Sequence, residues 1–480
     1  MQGFLDRFLL RAIRAAVYFV TLTSSALAQT FTDASSGLDN STRTQRPLGA
    51  SAIDLDQDGW VDIYQRGRLY MNQGGLAFLD ELSTSGLQEG TAPFGAVFGD
   101  YTGDGLPDAF LIDLNGDSRL FRAAGDGTFE WTNAQAGVTT QGVSVQGSLW
   151  FDYDLDGRLD LFVGGDGQQD LLFRNVDGTV FEDASSLVEV ATPRNDYGVA
   201  AADFDRDGDV DVYVGACNIA DPAFSENILW INQDGSFLQV ASGVEDDRES
   251  WGVSWLDYDN DGWLDLFVLT GLSTNDGRSG QNRLYRNNGL GFFEDRALVA
   301  GVAGGDTIFG LSAAAADFDN DGWIDLYVVN IRGNRHQLFR NNGDGTFTDV
   351  FADSGLIEVG GTAASAADFN NDGWIDIYVG TDDGGRLFLN DGGSNHRLTV
   401  STRGILSNRL GIGARIELYT AGMQQVREIT AGDGMTSQNH SFMAHFGIGT
   451  ATTIDSVLVR WPSGIVDRIV DPPVDAHLVV

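Results

Sequence analysis

Hydrophobic and polar positions along this chain fall into short alternating blocks. In "DFDNDGWIDLYVV", from Asp317 to Val329, four acids lie within nine residues and an apolar run follows at once. That run reads aliphatic, aromatic, then valine, as Leu326-Tyr327-Val328. β-Branched and aromatic residues in so short a run predict a strand. A second landmark follows each acidic block, for example "LFRNVDGTVFEDAS" from Leu172, "LYRNNGLGFFEDR" from Leu284 and "LFRNNGDGTFTDVFADSGL" from Leu338. A short apolar segment, an Asn/Gly turn and a segment opening on Phe predict a β-hairpin. With the strands flanking the acidic block, each repeat has about four strands.

The block occurs seven times, at intervals of 46, 52, 51, 54, 60 and 51 residues. Position 1 is Asp54, Asp100, Asp152, Asp203, Asp257, Asp317 and Asp368. Position 3 is Asp56, Asp154, Asp205, Asp259 and Asp319, with Thr102 in the second copy and Asn370 in the seventh. Position 5 is Asp58, Asp104, Asp156, Asp207, Asp261, Asp321 and Asp372. Position 9 is Asp62, Asp108, Asp160, Asp211, Asp265, Asp325 and Asp376, and position 6 is always Gly. Carboxylates this close repel one another unless something positive sits among them. Every one of these side chains offers oxygen, the donor that hard cations prefer. They are the candidate metal ligands, and an all-oxygen set favours Ca²⁺, up to seven ions, over Mg²⁺ or Mn²⁺. An EF-hand is excluded. Its loop needs a Glu at position 12, and here that position is Gln65, Leu111, Val163, Val214, Val268, Val328 and Val379. A solvated acidic turn would explain one copy but not seven with the same acids, glycine and strand.

Four-stranded repeats of roughly 40–50 residues predict a β-propeller. The seventh repeat ends at "LFLNDGG" from Leu387 without its last strand, while "FTDASSGL" from Phe31 closely matches "FTDVFADSGL" from Phe347. Residues 31–38 are therefore expected to supply the outer strand of the last blade and close the ring. The entries "FGAVFGDYTGDGLPDAFLI" from Phe94 and "FGLSAAAADFDNDGWIDLYVV" from Phe309 resemble the FG-GAP or VCBS repeat family. That resemblance implies a seven-bladed propeller like the integrin α head, with Ca²⁺ in loops on one face. After Gly393 the acidic loops stop. Short alternating strands over residues 396–480 predict a small β-sandwich, and "NRLGIGARIELY", "REITAGDGMTSQN" and "HFGIGTATTIDSVLVRWPSG" resemble the ASPIC/UnbV domain. The combined layout is similar to that of the cartilage acidic protein family and its bacterial relatives. The expected organisation is all-β: residues 29–393 as the propeller and residues 396–480 as the sandwich.

Composition narrows the function. The net charge of −40 argues against nucleic acid and anionic membranes as partners. Residues 1–28 carry Arg7, Arg11 and Arg14, an apolar run, then Ala26-Leu27-Ala28, the pattern of a secretory signal. The apolar run is too short to span a bilayer, so no stable membrane insertion is expected once the signal is removed. Cys217 is the only cysteine, so a secreted chain of this kind must be stabilised without disulfides. The first functional reading is a calcium-binding, non-catalytic recognition or adhesion module, secreted or periplasmic. Its partner would be an extracellular protein or glycan, held on the face opposite the metal loops. The polar inserts "NIADPAFSEN" from Asn218 and "TGLSTNDGRSGQN" from Thr270 suit that role. The alternative is an extracellular polysaccharide-acting enzyme on the same scaffold. Ser437, His440 and Asp433 lie close in sequence, but no nucleophile elbow accompanies them and a polar loop is the simpler reading. Cys217 follows a strand and reads as a buried small residue.

Overall fold

A computed structural model describes residues 29–38, 49–188, 194–217, 226–246, 248–271, 280–305, 308–381, 384–420, 422–435 and 439–480. The signal segment, most of both polar inserts and Ser437 lie outside them. Among the described residues the chain is all-β, with seven four-stranded antiparallel units in sequence order. The sixth is typical: Gly310–Ala316, Asp325–Asn330, Gln337–Asn341 and Phe347–Asp349, each pairing with the next. The first strand of each unit is innermost. Those strands are Ala50–Ile53, Pro93–Gly99, Val145–Phe151, Arg194–Ala202, Ser250–Leu256, Gly310–Ala316 and Gly361–Ala367. Each packs against the innermost strand of the next unit, and the last packs against the first. This is a closed β-propeller. Around the axis the strands crowd from both sides, which explains small residues such as Ala313–Ala316 and a last inner strand buried along its whole length. Units three and four also share a sheet, because Asp166 and Gln168 pair with Asn195 and Arg194.

The last unit takes its outer strand from the other end of the described chain. Phe31–Asp33 pairs antiparallel with Gly384–Asn390, Phe31 opposite Asn390 and Asp33 opposite Phe388. The strand is shorter than the matching sequence, residues 31–38. Asp33 Oδ1 accepts hydrogen bonds from the amide and hydroxyl of Ser35 and turns the chain into a 3₁₀ segment, Ser35–Gly37.

Each acidic loop joins the innermost strand to the second, so all seven lie on one face. In six of the seven units an asparagine in the third strand fastens the loop to its neighbour. Asn341 Nδ2 donates to Ile324 O of its own loop at 3.1 Å and to Tyr258 O of the preceding loop at 2.8 Å. Asn72, Asn175, Asn232, Asn287 and Asn390 make the same pair of bonds. Asn72 reaches Phe369 O and so joins the last unit to the first. Ala123 stands at this place in unit two.

Residues 396–480 form two sheets. His396–Ser401 lies between Met443–Gly449 and, in parallel, Ala476–Val479. The other sheet runs Met423–Glu428, Arg415–Thr420, Ser456–Arg460, Val466–Val470. Leu398, Val400 and Phe446 share a core with Ile416, Leu418, Val457 and Val459. Residues 431–435 lie against the innermost strands at the propeller axis. Trp150 N donates to Ala431 O at 2.9 Å, Gly434 N to Val199 O at 2.8 Å and Met435 N to Trp251 O at 2.9 Å. Asn439 occupies the seam between units one and two, the one without the third-strand asparagine. Its side chain pairs with Phe98 N and O, and its carbonyl accepts from Ala52 N.

Asn341→Ala would strand two buried carbonyls at the seam between units five and six. A loss of roughly 1–3 kcal/mol is expected for each buried polar group so orphaned. Chemical unfolding of the variant beside the parent measures it, and coincident curves would contradict the clasp.

Candidate metal loops and the face they share

The loops are shaped by two left-handed residues each. The position 6 glycines have φ between 87° and 101°, a region other residues seldom enter. Position 4 is also left-handed: Gln57, Gly103, Leu155, Arg206, Asn260, Asn320 and Asn371. That turn aims position 4 at the next loop. Asn260 Nδ2 donates to Gly322 O at 2.9 Å, Asn320 to Gly373 O at 3.3 Å and Asn371 to Gly59 O at 2.8 Å. Gln57 reaches Gly105 O and Arg206 reaches Gly262 O in the same way. Gly103 and Leu155 cannot, and those two seams rely on Asn175 and Asn232.

In six of the seven loops position 1 accepts the position 6 amide, as Asp317 Oδ2 does from Gly322 N at 2.8 Å. Position 5 accepts the position 7 amide, as Asp321 Oδ1 does from Trp323 N at 3.0 Å. Position 9 is the most constrained. Asp325 Oδ1 accepts from Asn341 N at 2.8 Å and Oδ2 from Phe318 N at 3.2 Å. Asp62, Asp160, Asp265 and Asp376 do the same in their loops. Position 9 is therefore a structural clasp as well as a candidate ligand.

Five loops gather three carboxylate oxygens within 4.8 Å of one another. In four they come from positions 1, 3 and 9: Asp152, Asp154 and Asp160; Asp203, Asp205 and Asp211; Asp257, Asp259 and Asp265; Asp317, Asp319 and Asp325. In the first loop they are Asp54, Asp56 and Asp58, with Asp62 outside the group. Position 5 stands apart in the four, at Asp156, Asp207, Asp261 and Asp321. The loops carrying Thr102 and Asn370, with Asp100, Asp104, Asp108, Asp368, Asp372 and Asp376, are not among the five.

Burial first, then neighbouring carboxylates, push these acids up: Asp152, Asp203 and Asp257 to about 7. Asp160, Asp211, Asp265, Asp317 and Asp325 are driven well above the carboxylate range for the same reason. Several buried oxygens have no hydrogen-bond donor among the described residues: Oδ1 of Asp54, Asp154, Asp203 and Asp257, and Oδ2 of Asp211. Crowded anions with unpartnered inward oxygens fit a cation. Arginines three residues into the third strand steady three loops. Arg174 bridges Asp154 and Asp156, Arg286 bridges Asp259 and Asp261, and Arg340 holds Asp319 at 2.7 Å. Arg174 takes Oδ2 of Asp154 and leaves its unpartnered Oδ1 for a cation. The asparagine and arginine recur in the sequence as "LFRN" and "LYRN", and spacing alone does not show what they bind.

The carboxy-terminal sheets sit on this face. Arg415 donates to Gly262 O, His445 Nε2 to Gly373 O at 3.3 Å, and Asn395 Nδ2 to Asp319 O at 2.8 Å. Gly449 N donates to Asn320 O at 2.8 Å. Arg427, half-buried, attracts Asp317 and Asp257 of adjacent loops. Of the residues weighed for catalysis, His440 Nδ1 accepts from Ala366 N at 3.4 Å and burial lowers it to about 4. Asp433 accepts from Thr430, and burial pushes the Cys217 thiol up to about 12.

Fold and loops define a β-propeller with repeated acidic loops, capped on the loop face by a small β domain. The FG-GAP-like repeat model matches residues 100–163, 152–214, 272–328 and 317–379, and the ASPIC and UnbV model matches 404–480. The chain thus carries FG-GAP-like repeats together with an ASPIC and UnbV domain. It is 31% identical to cartilage acidic protein 1 of Mus musculus over 213 residues, and 29% identical to that of Homo sapiens over the same length. Each match covers 42% of this chain and 32% of the relative, so the chain matches about a third of those relatives' length. The solved structure of Sqt1 from Saccharomyces cerevisiae is similar at 10% identity with a TM-score of 0.45, over 76% of this chain and 99% of that one.

The cap's hold on loop five runs through Glu417. Its Oε1 accepts from Arg415 at 3.1 Å and Arg460 at 2.9 Å, its Oε2 from Tyr419 at 2.7 Å. Burial alone would raise this acid, but the bonds from Arg460, Tyr419 and Arg415 outweigh it and hold it at about 2. A depressed acid stabilises the fold above its ordinary value of 4.5 and loses that contribution as pH falls toward about 2. The stability gap between the parent and Glu417→Gln should therefore be full at pH 6 and close between about pH 4.5 and 2. Thermal unfolding across that window checks it; a gap independent of pH would contradict it.

Proposed function

We propose that the chain is a secreted, calcium-stabilised, non-catalytic recognition module. The observation that carries this is the set of converging carboxylates with unpartnered buried oxygens in repeated loops on one face. Ca²⁺ at each such loop would neutralise charge that the fold otherwise holds at a cost. An all-oxygen donor set in a flexible loop suits it better than Mg²⁺, which demands stricter geometry. With a dissociation constant of roughly 0.1–1 mM and about 1 mM free Ca²⁺, each occupied loop adds about 0.4–1.4 kcal/mol.

Similarity to cartilage acidic protein 1, over part of its length, supports an extracellular setting, as does the signal pattern in residues 1–28. Among the described residues no helix is long and apolar enough to cross a membrane. The loop face is occupied by the cap, which leaves the opposite face for a partner. A non-catalytic role is supported by where the acids lie: most of the clustered ones belong to the loops or to ion pairs.

Asp257→Asn separates a cation site from an acidic turn. With EDTA the variant should be at least as stable as the parent, because a buried charge beside Asp259 and Asp261 has gone. In millimolar Ca²⁺ it should be less stable, because a ligand has gone. Melting temperatures under both conditions show the crossover; the same order in both would contradict calcium binding at this loop.

A further inference from the structure

The face opposite the loops carries a cup on the propeller axis. Its volume is about 1000 Å³, the upper end of the roughly 300–1,000 Å³ range of small-molecule sites. Its lining takes residues near the start of the inner strands of units two to seven, whose far ends lead into the acidic loops, with residues 330–335 and 358–360 beside them. Met435 from the cap's axial segment lies in its lining, and the Met435 amide is fixed to Trp251 O at 2.9 Å. The axial plug therefore closes the channel and turns it into a cup.

One wall is aromatic. Tyr197, Trp251 and Phe309 come from successive units, with ring centroids 5.2 Å and 5.0 Å apart. Tyr197 and Trp251 are half-buried, so part of each ring faces the opening. Two polar groups in the lining have no partner among the described residues: the Trp251 indole N–H and Oδ1 of Asn330, itself 3% exposed. Above Phe309 lies the Arg332 guanidinium, 4.0 Å from the ring centroid. Arg332 is exposed and has no ion pair among the described residues, in a chain where acids outnumber basic residues 69 to 29. Glu358, also exposed, brings an acceptor to the same rim.

We infer that this cup binds a saccharide. Sugar rings present C–H faces that stack on aromatic side chains, and hydroxyls that both donate and accept. The cup pairs an aromatic wall with an exposed cation and a carboxylate at its rim, above a buried indole N–H and a buried amide oxygen that have no partner among the described residues. A lipid chain would leave those polar groups unsatisfied. A nucleotide would meet a strongly acidic protein with a single free arginine at the rim. The inference rests on the recognition reading above and names its site and ligand class.

The test uses the signal-free protein in millimolar Ca²⁺. Cellotriose, N-acetylchitotriose and trigalacturonate are titrated by calorimetry, separating neutral from uronate sugars. At least one should bind, and Trp251→Ala and Arg332→Ala should each weaken it about tenfold. Trp251→Phe keeps a ring for the core and should retain most of the binding. No binding to any of the three, or binding that ignores both alanine variants, overturns the inference. Melting temperatures of the same samples with and without EDTA report on the calcium reading separately. Cleavage products in the titrated mixtures would overturn the non-catalytic role.

Discussion

Everything in this molecule depends on how buried carboxylates are held on one face. A loop places four oxygen-bearing side chains within nine residues, and burial, joined by the neighbouring carboxylates, drives several of them well above their ordinary ionisation range. Backbone amides take some oxygens and arginines take others, and the remainder have no donor. A divalent cation, as proposed, would complete that arrangement. Without one, the loop face is a ring of mutual repulsion joined to the strands that form the core.

The loops also carry the ring's continuity. Position 9 ties its loop to the third strand, the third-strand asparagine ties that loop to the preceding one, and position 4 reaches the following glycine carbonyl. Every seam has at least one of these bonds. Where the asparagine is replaced by Ala123, Gln57 and the cap's Asn439 bridge instead. The cap is thus part of the propeller's closure: it covers the loops from outside and threads their axis. That same thread floors the cup on the far side, so one short segment joins the metal face to the proposed ligand face.

Much of this was legible because it repeats. Seven copies of an acidic loop followed by a strand announced the all-β units and the candidate ligands, and "FTD" at Phe31 announced the shared last sheet. The double duty of position 9 was hidden because a side chain that clasps amides and one that binds metal are the same residue type. The asparagine and arginine of "LFRN" recur as plainly as the aspartates, but their partners lie in another loop or across a hairpin, which spacing does not reveal. The cap's docking depends on contacts such as Asn439 with Phe98, more than three hundred residues apart, and no local pattern encodes them. The cup is assembled from inner-strand residues of several units and from the stretches 330–335 and 358–362, which share no motif.

The central claim is that cations occupy these loops. The most direct measurement is the calcium content of the signal-free protein, by elemental mass spectrometry after equilibrium dialysis against millimolar Ca²⁺. The account predicts several ions per chain, released by EDTA and restored on readdition. A chain that retains no calcium above the dialysis buffer would contradict it.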